Sequence, residues 1–197
     1  MQRLILASGS KSRQALLKQI NVIPDLIDPA DIDETRLKGE KPLEMVKRLS
    51  QAKCQKIAEK YPEDVVLAAD TVSVVGTRVL DKTYEAATER KYLKLIGGRR
   101  HRLYTSVSVA VAAQDIFVQK TAMSVLKFKR FSAAEIEEII ACRQWEGCSG
   151  GYAIEGLMGK YLEFTSGSVS NIMGLPLHVV HNIFSGIPIN IKGYSKS

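Results

Sequence analysis

The sequence predicts an α/β fold in which a mixed, twisted sheet is flanked by helices. Short apolar runs typical of buried strands alternate with helix-period segments in the first half of the chain. In the middle, two strand-like segments on either side of residues 114–115 predict a hairpin. The 197 residues are 45% apolar and 25% charged, which is typical of a globular protein. We therefore expect a single domain over residues 1–197.

The first strand, helix and connection follow from the N-terminal residues. Residues 4–7 are an apolar run that predicts a buried strand, and Ser10 is a suitable N-cap for a helix after it. The apolar stripe of this helix consists of Ala15, Leu16, Leu17 and Ile20. Residues 23–41 are rich in Pro, Asp and Glu, and they predict an irregular or extended connection.

A longer helix is predicted at about residues 43–60, because Pro42 stands where a first helical turn tolerates proline. Steps of three and four residues along this helix give one buried face, which consists of Val46, Leu49, Lys53 and Ile57. Residues 65–69 then predict a buried strand that ends at Asp70, and residues 72–80 have further strand character.

The second half of the chain contains further helices and the paired strands. In order, the predicted elements are a helix at 84–96, strands at 103–111 and 116–128, a helix with a capping box at Ser132 and Glu135, a glycine-rich stretch at 147–159 and a last helix after Pro176.

Charge and cysteine usage limit the possible partners. Lys and Arg outnumber Asp and Glu by 28 to 21, which favours polyanionic partners. Two basic clusters, at residues 99–102 and 127–130, are each expected to be solvated strand ends. The three cysteines have no C-x-x-C spacing, so we expect reduced, mostly buried thiols in a cytoplasmic protein. The apolar runs are too short for a signal peptide or a membrane span.

The first candidate site is the turn that follows the first strand. Ser8, Gly9 and Ser10 lead from the strand into a helix, whose free backbone N–H groups and positive dipole end form an anion site. Arg13, one turn into the helix, adds a forked cation that suits phosphate. An ordinary turn with a surface arginine is the alternative.

Two further candidates lie on buried elements. Lys53 interrupts an apolar helix face, so its ammonium either reaches water past the core edge or faces a cleft that holds negative charge. Asp70 follows a buried strand, where α/β sheets place ligands, and it could bind a cation or accept a proton from water. An Asx turn is the alternative for Asp70. Glu34, in the acidic connection, could supply a further carboxylate, although a solvated loop is its default explanation.

The glycine-rich stretch and two histidines complete the candidates. Glycines around Glu155 allow close approach to a ligand, and this carboxylate could accept hydrogen bonds from a base edge. A tight packed loop is the alternative there. His178 and His181 are spaced three apart without an evident third ligand, so core or surface histidines are favoured over a metal site.

Together, these motifs resemble the Maf family, known as septum-formation inhibitors and nucleoside triphosphate pyrophosphatases. The resemblance runs from Leu4 to about Phe184 and is carried by the motifs LASGSxxRxxLL at 6–17, DIDE at 31–34, ADTV at 69–72, GGYAIxG at 150–156 and GLPL at 174–177. It implies a homodimeric α/β fold like that of inosine triphosphatases, with a deep central cleft. It also implies metal-dependent hydrolysis of a nucleoside triphosphate to the monophosphate and pyrophosphate.

The resemblance also assigns roles to individual residues. Asp70 matches the catalytic proton acceptor. The polar cleft residues are matched by Ser8, Arg13, Glu34, Lys53 and Lys82. We expect Asp70 and Glu34 to hold Mg²⁺ or Mn²⁺ together with the triphosphate. The cations and the N–H groups after Ser8 are expected to neutralise the phosphoryl oxygens.

Base preference is implied at Ser12, Thr71 and Glu155, and these residues mix two subfamily patterns. The dTTP/UTP-cleaving subfamily usually has Gln in place of Glu155. Glu there resembles the 7-methyl-GTP subfamily, which usually replaces Thr71 by Gln. Asp81 and Thr83 stand where many relatives have Gly and Pro around Lys82. An ionised Glu155 only accepts hydrogen bonds, which favours an N–H-rich edge such as that of guanine, or a cationic methylated base.

The leading hypothesis is therefore a nucleoside triphosphate pyrophosphatase that cleanses the nucleotide pool and takes part in division control. The alternative is a non-enzymatic, basic regulator of cell division that binds nucleic acid or a partner protein. The net charge and the two basic clusters support it. Nucleic acid is nevertheless not expected as a partner, because the sequence has no stacking-aromatic motif or nucleic-acid module.

Overall fold

The computed structural model of the protein describes residues 1–194. Its strands are β1 (Leu4–Leu6), β2 (Leu26–Ile27), β3 (Val65–Val75), β4 (Arg78–Leu80), β5 (Arg100–Val111), β6 (Ile116–Phe128) and β7 (Leu162–Ser166). Its α-helices are α1 (Lys11–Gln19), α2 (Pro42–Lys60), α3 (Ala86–Ile96), α4 (Ala133–Cys142), α5 (Val169–Ile172) and α6 (Leu177–Gly186). Short 3-10 turns occupy Ala112–Gln114 and Leu157–Tyr161.

The seven strands form one mixed sheet. Its order is β2-β1-β3-β5-β6-β7, and β4 pairs with β3 off this path. Strand β1 is parallel to both β2 and β3, whereas the β3–β4 and β6–β7 pairs are antiparallel. The prediction of an α/β fold with a mixed sheet and flanking helices is confirmed.

Strand β3 differs from the prediction, because it does not end at Asp70. It continues to Val75, so Asp70 lies within the strand and not in a turn after it. The polar side chain was the reason to expect an end, but the backbone stays extended and pairs onward with β4, from Ser73 to Val75. A lysine from α2 provides the partner that lets this carboxylate remain buried.

Several helix ends are specified by the predicted local chemistry. Ser10 caps α1 and accepts a hydrogen bond from the backbone N–H of Arg13 at 3.4 Å. Pro42 occupies the first turn of α2, and Ser132 and Glu135 form the capping box of α4. Ala15 was wrongly predicted to face the core, since it is exposed on α1, where Leu16 and Leu17 alone are buried.

The chain divides into two compact units. The first unit consists of Met1–Asp70, Thr105–Ala122 and the described residues from Gly174 onward. A helix-on-strand core lies within it, and includes Ile5, Cys54, Ile57, Val66 and Ala110. The removal of its apolar surface from water is the main force that holds α2 against β1 and β3.

The second unit consists of Thr71–Tyr104 and Met123–Met173. Its core is richer in aromatic residues and includes Leu93, Phe128, Trp145, Tyr152 and Tyr161. Strands β3, β5 and β6 contribute residues to both units. The single domain over residues 1–197 stays a prediction.

Two further expectations concern the thiols and the membrane. All three cysteines are free, as predicted, but only Cys54 is buried, and Cys142 and Cys148 are partly exposed. Burial raises the pKa of the Cys54 thiol to about 12. Across residues 1–194, no helix combines the length and the apolar character that a membrane span requires.

Candidate active site

A buried lysine joins two carboxylates in the first unit. The Nζ atom of Lys53 on α2 lies 2.6 Å from Oδ1 of Asp70 and 2.7 Å from Oε1 of Glu34. The Lys53 and Asp70 side chains are almost fully buried, whereas the Glu34 side chain is 46% exposed. Burying a charge is costly unless it is paired, and Lys53 satisfies both acids at once.

Helix periodicity and strand register explain why these groups meet. Lys53 is on the same buried face of α2 as Val46, Leu49 and Ile57, as predicted. Strands β1 and β3 are parallel and pair Leu6 with Leu67. The residues that follow these positions therefore continue toward the same edge, where Ser8 and Asp70 are found.

The turn after β1 binds the arginine of α1. Nη1 of Arg13 donates to Oγ of Ser8 at 2.8 Å, and its Nε donates to the carbonyl of Gly174 at 2.9 Å. The backbone N–H of Ser10 also donates to Ser8 Oγ, at 3.4 Å. Burial lowers the pKa of the Arg13 guanidinium, and the nearby charges of Asp70 and Glu34 raise it. Arg13 therefore shares the electrostatic environment of both carboxylates.

The start of α1 keeps the features of an anion site. This nine-residue helix has no acidic side chain in its first turn, which begins with Lys11 after the Ser10 cap. The first N–H groups of a helix and its positive dipole end attract anions. The structure thus gathers Ser8, Gly9, Ser10 and Arg13 at a site suited to phosphate.

A second arginine orders the acidic connection, and the sequence analysis missed it. Arg48 on α2 donates from Nε and Nη2 to the two carboxylate oxygens of Glu40, at 2.6 and 2.8 Å. Its Nη2 also donates to the carbonyl of Thr35 at 3.1 Å, one residue beyond Glu34. The Arg48 hydrogen bonds lower the pKa of Glu40 to about 2. Arg48 thereby holds the segment that presents Glu34 to Lys53.

A buried hydroxyl cluster supports the helix that carries Lys53, and it was also missed. Ser50 lies one turn before Lys53, and its Oγ is 2.8 Å from Ser106 Oγ and 3.0 Å from Ser108 Oγ on β5. The amide nitrogen of Gln119 donates to Ser50 and Ser108, at 3.1 Å each. The alternation of Ser106 and Ser108 with valines in the last part of β5 was the available sequence signal.

The other predicted residues lie on α1 and in the second unit. Ser12 is partly exposed on α1, while Thr71, Lys82 and Glu155 belong to the second unit. Lys82 and Glu155 are exposed, and the Thr71 carbonyl accepts a hydrogen bond from Ser149 Oγ at 2.9 Å. Burial and the charge of Glu155 raise the pKa of Cys148, and the charge of Lys82 lowers it. Lys82 and Glu155 therefore act on the same thiol.

The histidine pair does not form a metal centre. His178 and His181 are exposed on α6, and Nδ1 of His181 is 3.0 Å from the hydroxyl of Tyr194. Among residues 1–194, no group of three or more His, Cys, Asp or Glu side chains could hold a metal ion by itself. Both histidines lie at the helix surface, which is one of the two placements favoured from the sequence.

Acidic neighbours neutralise part of the second basic cluster. Nζ of Lys127 is 2.7 Å from Oε2 of Glu163, and Nζ of Lys129 is 2.6 Å from Oε1 of Glu135. In the first cluster, the Arg100 guanidinium lies over the Phe164 ring, 4.6 Å from its centroid. The two ion pairs offset the charges of Lys127 and Lys129, whereas the ring contact leaves Arg100 charged.

The fold and this site define an α/β protein in which a turn suited to an anion lies beside a lysine-bridged pair of carboxylates. Residues 3–187 match the family model described as Maf-like protein, and the chain belongs to this family. The resemblance predicted from the motifs is therefore confirmed.

Curated relatives cover nearly the whole chain. The dTTP/UTP pyrophosphatase of Zymomonas mobilis is 43% identical over 189 residues, which are 95% of this chain and 93% of that protein. The nucleoside triphosphate pyrophosphatase of Anaplasma marginale is 41% identical over 94% of each chain. The solved Staphylococcus aureus Ham1 protein is a partial likeness, with a TM-score of 0.45 and 16% identity over 64% of this chain and 71% of that chain.

Proposed function

We propose that this protein is a hydrolase that cleaves a nucleoside triphosphate to the monophosphate and pyrophosphate. Relatives above 40% identity carry the names dTTP/UTP pyrophosphatase and nucleoside triphosphate pyrophosphatase. The observation that carries the proposal is the bridge from Lys53 to Asp70 and Glu34 beside Arg13. It combines an acid, which can accept a proton, with two cations, which can stabilise phosphoryl charge.

In this proposal, the phosphates bind at the turn after β1. The N–H groups at the start of α1 and the Arg13 fork donate to phosphoryl oxygens, and Lys53 supplies a second positive charge. Ser8 fixes one nitrogen of the Arg13 guanidinium and Gly174 fixes another, so the plane of the guanidinium is oriented before substrate arrives. Such preorganisation is the main contribution expected of a protein to phosphoryl transfer.

Asp70 is the proposed proton acceptor. Lys53 occupies its Oδ1 atom, which leaves Oδ2 to orient a water molecule and take its proton. The water oxygen forms a bond to the α-phosphorus, and the bond from that phosphorus to the oxygen bridging to the β-phosphorus breaks. Pyrophosphate leaves with the electrons of that bond, and the proton lost by water resides on Asp70.

The two carboxylates fit a divalent cation that is shared with substrate. Asp70 and Glu34 already bind one positive group, the Lys53 ammonium, between them. Mg²⁺ is usually held by one or two carboxylates together with substrate phosphates, so two acids are sufficient. When bound, Mg²⁺ or Mn²⁺ would supply charge neutralisation and a more acidic water.

Two indications bear on which nucleotide base the protein prefers. The relatives make dTTP and UTP the first candidates, whereas an acceptor-only Glu155 favours an N–H-rich edge such as that of guanine. The roles of Ser12, Thr71, Lys82 and Glu155 stay predictions. Homodimer assembly, a cytoplasmic location and a part in division control also stay predictions from the family resemblance.

A pyrophosphate-release screen tests the proposal. The purified protein is incubated with dTTP, UTP, GTP, 7-methyl-GTP and ITP, each with Mg²⁺, with Mn²⁺ or with a chelator. We expect pyrophosphate and monophosphate in equal amounts from at least one nucleotide, and none with the chelator. Release of inorganic phosphate in place of pyrophosphate, or no release from any nucleotide, would contradict the proposal.

A further inference from the structure

Glu89 is a buried acid to which the proposed mechanism gives no role. It lies in the first turn of α3 and is 0% exposed. Neither carboxyl oxygen has a hydrogen-bond partner within the described part of the chain. Burial raises the pKa of Glu89 to about 9, so the neutral, protonated acid is the form at neutral pH. Unpaired buried polar groups are rare in native proteins and require a reason.

The carboxyl of Glu89 lies directly beneath a glycine turn, residues 147–151. A Cβ atom added to Gly151 would overlap Oε2 of Glu89 and lie 2.5 Å from its Cδ. A Cβ added to Gly150 would lie 2.6 Å from Oγ of Ser73. Both glycines have positive φ, +81° at Gly150 and +76° at Gly151, which other residues rarely adopt. The backbone of the turn therefore packs closely on the neutral acid.

The same turn is bonded to the backbone on both sides of Lys82. The N–H of Gly150 donates to the carbonyl of Leu80 at 3.2 Å, and the N–H of Gly147 donates to the carbonyl of Thr83 at 3.1 Å. Ser149 adds its bond to the Thr71 carbonyl. A displacement of the turn would therefore move the backbone that presents Lys82.

Glu89 acts on a thiol of the glycine turn together with two of the predicted site residues. Burial raises the pKa of Cys148 most, the charges of Glu155 and Glu89 raise it further, and the charge of Lys82 lowers it. An ionised Glu89 would thus add negative charge against the glycine turn. It would also leave an unpaired charge in the interior, and water can reach that charge only if the turn moves away.

We infer that Glu89 is a positioning residue whose uncharged carboxyl supports the glycine turn and thereby sets Lys82 and Glu155 for binding the nucleotide. This inference rests on the proposed function for its effect on substrate, but the link between Glu89 and the turn does not. Loss of the Glu89 proton is expected to release the turn and weaken nucleotide binding without changing the chemical step.

Other titratable groups face Glu89 and must be separated from it. Tyr92 lies one turn further along α3, and Cys148 faces Glu89 from the glycine turn. Burial raises the pKa of both groups above their ordinary values. Asp81 acts on Tyr92, and Glu155 and Lys82 act on Cys148. A titration at about pH 9 that is present in the wild type and absent in the Glu89→Gln variant therefore belongs to Glu89.

A fluorescence titration tests the link to the turn without any substrate. Trp145 is the single tryptophan, is 3% exposed and accepts a backbone hydrogen bond from Cys148. We expect its emission to change with a midpoint at about pH 9 in the wild type. The emission should stay constant in Glu89→Gln, which mimics the neutral acid. Glu85→Gln, at the exposed N-cap position of the same helix, is the control and should titrate like the wild type.

Nucleotide hydrolysis then tests the effect on binding. We expect the KM of the wild type to rise about tenfold from neutral pH to one unit above the pKa of Glu89, because about one molecule in ten keeps the proton there. The KM of Glu89→Gln should stay flat, and the kcat of both proteins should agree. An unchanged Trp145 titration in Glu89→Gln, or a KM that rises equally in both proteins, would overturn the inference. Absence of hydrolysis at every pH would refute the proposed function instead, and the fluorescence titration would still judge Glu89.

Discussion

The Nζ atom of Lys53 lies 2.6 Å from Oδ1 of Asp70, and less than a tenth of either side chain is exposed. Neither charge can be solvated by bulk water if the other is removed, so the two residues depend on each other. Glu34 is a third, more exposed member on the same ammonium, at 2.7 Å. This arrangement makes specific demands on stability as well as on catalysis.

Removal of the lysine is expected to destabilise the protein through Asp70. Lys53→Met leaves a buried carboxylate unpaired and should lower the free energy of unfolding by roughly 3 kcal/mol. Adding Asp70→Asn removes that charge and should recover part of the loss, so the two changes are not additive. Urea unfolding of the two single variants and the double variant measures the coupling. Lys56→Met, at an exposed position on the same helix, is the control, and strictly additive effects would refute the coupling.

The hydroxyl of Ser8 is expected to matter for substrate binding more than for folding. Ser8→Ala removes the acceptor of Arg13 Nη1, and a hydrogen bond to a charged group contributes about 1.5 kcal/mol or more. We expect the KM for the nucleotide to rise about tenfold, with a smaller change in kcat. Steady-state kinetics, with Ser185→Ala at an exposed position of α6 as the control, checks this. A KM within the error of the wild type would show that Ser8 does not orient Arg13 for substrate.

The Arg48–Glu40 pair predicts a loss of stability in acid. The folded state holds the pKa of Glu40 at about 2, below its ordinary value of 4.5. The unfolded chain therefore binds the proton first, and this contribution to stability is lost as the pH falls from about 4.5 to about 2. Glu40→Gln should unfold more easily at neutral pH and lose that part of the pH dependence. Urea unfolding from neutral to acidic pH measures both, and parallel curves for the two proteins would contradict the prediction.

His101 predicts a second acid-sensitive contribution, in a higher pH range. Burial lowers the pKa of this imidazole to about 4 from 6.5, and its Nε2 lies 2.9 Å from the hydroxyl of Tyr152. Because the unfolded chain takes up the proton first, stability should fall as the pH drops from about 6.5 to about 4. His101→Asn should remove this dependence in the same range. An NMR titration of His101 with an ordinary midpoint would show that the ring is not buried as described.

Much of the site could be predicted because it follows regular periods. The helical step of three and four placed Lys53 on the buried face of α2, and the apolar run of β3 led to Asp70. Ser8 and Arg13 followed from the strand–turn–helix pattern. Each of these signals is local, and the parallel register of β1 and β3 then brought the residues together.

The rest depends on contacts that leave no period in the sequence. Arg48 lies on α2, whereas Glu40, eight residues earlier, lies at the end of the irregular connection. Glu89 occupies a first helical turn, where an exposed acid is the usual expectation, and Gly151, much further along the chain, packs against its carboxyl. The prediction that β3 ends at Asp70 was wrong for a related reason. The lysine that stabilises this buried acid inside the strand lies on another element.

The rate of pyrophosphate release by Asp70→Asn tests the central claim most directly. Asp115→Asn, in a left-handed turn conformation that asparagine tolerates, is the matched control. We predict that Asp70→Asn keeps its fold and binds the nucleotide but loses about a hundredfold or more in kcat, while Asp115→Asn retains the wild-type rate. A kcat for Asp70→Asn close to that of the wild type, in a protein that binds the nucleotide normally, would contradict the account.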